Sequence, residues 1–298
     1  MFPLRSALLL GVLSFSLLGQ DYAIDLSRLK AGEKVRGLVA TATEETRMTV
    51  MATGQPMHTE SGKSVVKLKA DVEEIGKDPA GRSRLKLSIL DLDGTVDGRK
   101  AELGSLGATV MADYQGDKTV FTGADGKSLP EEAQKLLRMV VSIDRDPDSD
   151  DRAFGTKERK RVGDVWDINR SWAASQLRET GVQVDPGNIS GSVQLKELVK
   201  DQGIDCLRIA VTMDLREIKG IPMPPGLSLT KSVVNCTLSG LYPLDPTKGR
   251  QRSTEGYDMD FLAYGKVPTD NGPVEMSLQM RMTRTNEAVW TSPMAARR

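Results

Sequence analysis

The amino-acid sequence predicts a mainly β protein: an antiparallel meander in two similar halves with one covering helix. Three observations lead there. Apolar and polar residues alternate with a period of two in long runs. The clearest sets Leu207, Ile209, Val211, Met213 and Leu215 against Arg208, Ala210, Thr212 and Asp214, the pattern of a half-buried antiparallel strand. Turn-forming residues separate the runs, as in Ile221-Pro-Met-Pro-Pro-Gly226, where three prolines remove ladder donors and exclude a strand interior. A weaker copy of the second-half pattern recurs upstream. A single large sandwich or a curved half-barrel fits the same strands.

In chain order, the first strand is expected over Val35–Met51 and ends at the turn Gly54-Gln-Pro56. Ser64–Glu73 is the second, with Val66, Leu68, Ala70 and Val72 on one face and Lys67, Lys69 and Asp71 on the other. A Gly- and Pro-bearing turn at 76–81 leads to Leu85–Ile89, closing at Asp91-Leu-Asp-Gly94. Leu106, Ala108 and Val110 suggest a fourth strand, and Lys118–Thr122 a fifth. The period then changes. Ser128-Leu-Pro-Glu131 resembles a capping box, and Leu129, Ala133, Leu136, Leu137, Val140 and Val141 follow at helical spacing. This predicts a helix at about 129–141, ended by the acidic linker Asp144–Asp151.

The second half begins at Arg161-Val-Gly-Asp-Val-Trp166, with a short helix expected over Ser171–Arg178 and a turn at Asp185-Pro-Gly-Asn188. Gly191–Lys200, Ile204–Leu215 and Leu229–Leu241 are successive strands, the last two joined by the Pro-rich bend. After the turn Asp245-Pro-Thr-Lys-Gly249 come two further strands. One carries Tyr257, Met259, Phe261 and Ala263 on one face; the other carries Val274, Met276, Leu278, Met280 and Met282. Residues 291–298 read as a frayed tail. The organisation expected is therefore a signal peptide at 1–20, a β half at 21–150, a second at 151–290, and the tail.

Export follows from Arg5 and the apolar-to-small run Ala7–Leu18, ending at Gly19-Gln20, the parts of a secretory signal. The run is shorter than the roughly 20 apolar residues a membrane-spanning helix needs, and no second such run follows. Localisation is expected to be extracytoplasmic, periplasmic or secreted. Lys plus Arg total 41 and Asp plus Glu total 41. That balance offers no field for nucleic acid or an anionic membrane. With aromatics at 4%, 13 methionines share the filling of the core.

Three segments of the halves correspond in order: Ala31-Gly-Glu33 with Val162-Gly-Asp164, Ser64–Lys69 with Ser192–Lys196, and Leu85–Ile89 with Leu207–Val211. A duplicated meander accounts for them. Arg161–Trp166, the Ile204–Leu215 strand and Gly240-Leu-Tyr-Pro-Leu-Asp-Pro-Thr-Lys-Gly249 also resemble an exported bacterial family known only as a domain of unknown function. The resemblance implies export and a β-rich fold. It implies no catalytic residue.

No catalytic, cofactor-binding or metal-ligating set emerges from the residues. His58, the single histidine, falls in a turn with no nucleophile motif around it. Gly126-Lys-Ser128 and Gly62-Lys-Ser64 lack the first glycine of a phosphate loop, Phe121 and Met57 standing there. Ser64–Lys67 and Ser228–Lys231 match a Ser-x-x-Lys pattern by chance, in strands and without companion motifs. Asp144–Asp150 and Asp91–Asp97 are carboxylate-rich but lack the glycine or terminal glutamate of a calcium loop. Cys206 and Cys236, on neighbouring strands of an exported chain, are candidates for a disulfide. A symmetric hairpin sets Cys206 against Leu241, so the bridge requires an asymmetric loop or a bulge.

These features predict an exported, non-enzymatic binding or structural component of the bacterial envelope, needing no cofactor. Its partner is an unknown envelope component or an apolar small molecule. One rival is a carrier enclosing an apolar ligand in a Met- and Leu-lined β cavity. A second is a hydrolase using two carboxylates, for which the sequence selects no pair.

Overall fold

The computed structural model describes residues 20–26, 35–79, 81–101, 103, 109–115, 118–143, 149–179, 181–221, 223–245, 247–268 and 272–294. The expected signal peptide, apart from Gln20, lies outside the described residues, as do Leu106 and Ala108, Asp144–Asp148 and the last four residues of the tail.

The first half contains β1 (Val35–Ala52), β2 (Gln55–Lys77), β3 (Ser83–Val96), β4 (Arg99–Lys100), β5 (Thr109–Gln115), β6 (Lys118–Gly123) and helix α1 (Glu131–Val140). Next come α2 (Ser149–Phe154), β7 (Val165–Asp167), α3 (Arg170–Glu179) and β8 (Ile189–Asp201). The chain closes with β9 (Ile204–Arg216), β10 (Leu227–Pro243), β11 (Arg252–Val267) and β12 (Val274–Thr291). The strands form one open, wholly antiparallel sheet in the order β6-β5-β3-β2-β1-β12-β11-β10-β9-β8-β7, with β4 beside β3. The long ladder between β1 and β12, from Gly37 opposite Thr291 to Ala52 opposite Met276, fuses the two meanders.

Period-two patterning explains why one face carries everything else. Leu38, Ala40 and Ala42 on β1, Val66, Leu68 and Ala70 on β2, and Ile209 and Val211 on β9 are buried, whereas Lys67, Asp93 and Thr212 on the opposite parity are exposed. The helices cover the inner, apolar face. Under α1 lies a first core that includes Leu87, Val110, Phe121, Leu136 and Leu137, all fully buried. A second core, under α2 and α3, includes Ile168, Ala174, Ile189, Leu195 and Ile209. Tyr22, Ile24 and Leu26 pack into this second core. The residues just after the expected cleavage region are thus tied to the far half, with Tyr22 and Lys160 exchanging backbone hydrogen bonds.

Several local expectations need correction. The capping-box reading placed the helix start at Ser128, but α1 is capped by Pro130 with no side-chain hydrogen bond. Ser128 instead bridges Thr122, and the Leu129 N–H donates to the Phe121 carbonyl, covering the outer edge of β6. Edge strands need such cover, because their outward backbone groups otherwise stay unpaired. Asp91-Leu-Asp-Gly94 does not end its strand; β3 runs through it to Val96. At Gly94 a Cβ would lie 2.6 Å from the Leu136 side chain, so glycine lets α1 sit close on the sheet. Among the described residues, α3 falls where the short helix over Ser171–Arg178 is expected and joins α1 in covering the sheet, while α2 is an addition, because the charged segment from Ser149, expected to be linker, is helical. The end of the chain is anchored as far as it is described: the Met294 N–H donates to the buried Asp71 carboxylate at 2.7 Å.

Candidate functional site

The two helical caps differ in how well they fill the inner face. Helix α1 inserts Leu136, Leu137, Met139 and Val140. From α3 come Ala173 and Ala174, while Trp172 and Leu177 stay partly exposed. Small side chains beneath α3 leave a cleft of about 460 Å³ against β9, β10 and β11. Val211, Met213, Cys236 and Leu238 form its floor, and Phe154 and Trp172 are among its walls. Tyr114 of β5 and Ile143, just after α1, complete it from the first half. Five strands separate β5 from β10 in the sheet order. Residues of both can line one cleft only if the sheet curls toward its inner face.

One end of the cleft is polar. Glu255 and Asp150 line it, and Arg250 stands between them, 3.5 Å from Asp150 and 3.9 Å from Glu255. The side chains of Arg250 and Asp150 are 6% and 5% exposed, so this is a buried ion pair rather than a solvated one. The Glu255 carboxylate also accepts from the Tyr257 hydroxyl at 3.5 Å. Beyond Glu255 and Tyr257, which line both spaces, a second cavity of about 360 Å³ continues between α1 and β12. Arg284 closes its far side by donating to the carbonyls of Arg138 and Met139, at 3.0 and 2.6 Å. Asn286 lies directly opposite Glu255 across the β11–β12 ladder.

Among the candidate site residues weighed in the sequence, Cys236 and Asp150, the last of the Asp144–Asp150 carboxylates, line the cleft. Cys206 and Cys236 are both free. The register corrects the expected bridge: Cys206 faces Pro243 and Cys236 faces Met213. Seven positions along β10 separate Pro243 from Cys236, about 23 Å of strand, far beyond disulfide reach. Burial pushes both thiols up to about 11, which makes them poor nucleophiles at neutral pH. His58 is exposed as expected but lies within β2 opposite Val50, not in a turn, with Glu60 3.9 Å away. Asp91 and Asp93 face Lys69 and Lys67 across β2–β3 and gather no common site. No group of three or more His, Cys, Asp or Glu with metal-binding geometry occurs among the described residues.

The polar end went unread because each member was assigned to something else. Asp150 falls in the expected acidic linker, among the carboxylates that resemble a calcium loop. Glu255 shares its parity with Tyr257, Met259, Phe261 and Ala263, and Asn286 shares its own with Met276–Met282. A charged or amide side chain on the apolar register of a strand is the signal that points to them.

No family model matches the sequence, and no curated protein matches it. Solved structures with some likeness include a lipovitellin described for lipid–protein interactions, at 10% identity and TM-score 0.30, covering 86% of this chain and 26% of that one. This chain therefore spans about a quarter of the lipovitellin chain. OpdQ of Pseudomonas aeruginosa aligns at 7% identity and TM-score 0.23, over 86% and 98% of the two chains. The MucA/MucB complex of the same organism aligns at 12% identity and TM-score 0.14, over 80% and 88%.

Proposed function

We propose that this is an exported, non-enzymatic binding protein of the bacterial envelope that carries an apolar small molecule in the cleft beneath α3. The observation that carries the reading is the cleft itself. Its volume falls within the range of about 300–1,000 Å³ typical of ligand sites, and an apolar lining with a few polar groups at one end is the usual composition of such sites. Met213 and Leu238 on the floor suit a flexible apolar guest, because unbranched methionine adapts its shape to what it contacts. Export rests on the leader pattern of residues 1–20, and the resemblance to an exported family supports the same location. Mass measurement of the native protein should show a chain lacking about the first 19 residues.

The carrier reading is tested with N-phenyl-1-naphthylamine, whose fluorescence rises in apolar surroundings. The wild type is expected to bind about one equivalent of the probe. Leu238→Trp, which projects bulk into the cleft from a half-buried floor position, is expected to abolish the signal. Leu90→Trp, at an exposed site outside the cleft, should leave it intact. Equal binding by all three proteins, or none by the wild type, rejects the cleft as the site.

A further inference from the structure

We infer that the ligand is an amphiphile with an uncharged, hydroxylated polar end, seated at Glu255 and Asn286, and that a carboxylate-headed ligand is disfavoured. The inference rests on the apolar-carrier reading and adds the chemistry of the head. Among the described residues the cleft is lined by the carboxylates Asp150 and Glu255 and by neither Lys nor Arg, while the adjoining cavity that holds Asn286 is lined by Arg138 and Arg284. Arg250 lies behind the two carboxylates and is held against that of Asp150. An ionised carboxylate head could accept from Arg284 but has no donor for the Asn286 oxygen, and beside Glu255 it meets a like charge in a partly desolvated space, where such charges repel more strongly than in water.

What the site offers instead is acceptors. Glu255, with its side chain 20% exposed, keeps carboxylate surface open to the cleft. Across the β11–β12 ladder, the Oδ1 of Asn286 is buried without a hydrogen-bond partner among the described residues, and Asn286 lines the adjoining cavity. An unpaired buried acceptor is costly, and a ligand hydroxyl donating to it removes that cost. Arg284 lines the same cavity with its Nη2 committed to two carbonyls and its Nε buried without a hydrogen-bond partner. A hydroxyl can both donate and accept, so it serves Asn286 and Arg284 alike. An ammonium has no acceptor, and an ester has no donor. With the head at Glu255 and Asn286, where the two cavities adjoin, the tail extends under α3 along Leu238, Cys236 and Met213.

The test compares three ligands of one chain length, each displacing N-phenyl-1-naphthylamine at pH 8: monopalmitin, methyl palmitate and palmitate. Monopalmitin is expected to displace the probe at concentrations about tenfold below the other two. Asn286→Leu, which removes an oxygen that makes no hydrogen bond within the protein, should shrink that advantage to about twofold or less. Glu255→Gln should tighten palmitate. Palmitate or methyl palmitate binding as tightly as monopalmitin, or an unchanged preference in Asn286→Leu, overturns the head-group inference while leaving the carrier reading intact. Failure of the probe and all three ligands to bind overturns both.

Discussion

The two halves of the sheet use one construction with different fillings. Under α1 the face of β2, β3, β5 and β6 is sealed, with Leu68, Leu87, Val110, Phe121, Leu136 and Leu137 at most 1% exposed, and the space that remains beside this helix lies toward β12. Under α3 the same kind of strand face stays partly open at Met213, Cys236 and Leu238. The difference lies in the helices. Four large apolar side chains of α1 reach the sheet, and Gly94 admits Leu136 at close range. Two alanines of α3 are what it buries. A filled half and a partly open half are joined along β1 and β12.

The largest effect expected of a single change lies, unexpectedly, in the open half. Arg250→Ala leaves the buried Asp150 carboxylate, and Glu255 beside it, without their shared cation. Removing one partner of a buried pair costs about 3–5 kcal/mol. Urea unfolding should show this as a large drop in midpoint; a loss below about 1 kcal/mol, the level of exposed pairs, would place Arg250 in water rather than in the core. Leu137→Ala in the sealed half should cost about 2–5 kcal/mol by the usual cavity penalty. Leu177→Ala, partly exposed on the cleft wall, should cost under about 1 kcal/mol. If the two leucines cost the same, the contrast between sealed and open halves fails.

Smaller, and specific to how the sealed half is closed, is Gln134. Its carboxamide oxygen accepts from the Phe121 N–H at 3.0 Å, and its nitrogen donates to the Phe121 carbonyl at 2.8 Å. It therefore completes the outer edge of β6 from within α1. Gln134→Leu keeps the volume but leaves the Phe121 N–H unpaired, while the carbonyl retains Leu129. The expected cost is about 1–3 kcal/mol, and hydrogen exchange at the Phe121 amide should accelerate. An unchanged exchange rate would mean that water reaches this edge regardless.

How much of this could be read in advance divides along the same line. The strands of both halves were legible, because period two survives in Val66–Val72, Leu207–Leu215 and Val274–Met282 regardless of what packs above them. Helix α1 was legible for the same reason, its apolar spacing being that of a helix with a buried face. Strand ends were less so. Extensions such as Gln55–Lys63 of β2 pair with β1 across a turn, and no apolar alternation marks them, Met57 being an isolated exposed residue. The cleft was not legible, because it arises from Ala173 and Ala174, and a small residue in a weakly patterned helix carries no sign that space is left beneath it. The polar end was legible in principle through Glu255 and Asn286 on apolar parities, but choosing them requires knowing that β11 and β12 are neighbours.

The effect expected to be smallest at neutral pH concerns the thiols and distinguishes buried cysteines from bridged ones. Burial raises both Cys206 and Cys236 to about 11 in the folded protein, with nearby Asp201 adding to the first and Asp214 to the second. In the unfolded chain a cysteine titrates near about 8.5. Between these values the unfolded state has released a proton that the folded state still holds, so stability falls as pH rises. The contribution is complete below about pH 8.5 and is lost as pH climbs toward 11. Stability measured from pH 8 upward should therefore decline more steeply in the wild type than in the Cys206→Ala, Cys236→Ala double variant. Ellman's reagent should find two reactive thiols after unfolding without reductant, and little reaction in the folded protein at pH 7. Parallel pH profiles in the two proteins would mean that neither thiol is shielded from water. A single disulfide-bonded species would require a register seven positions away from the one that pairs Cys206 with Pro243.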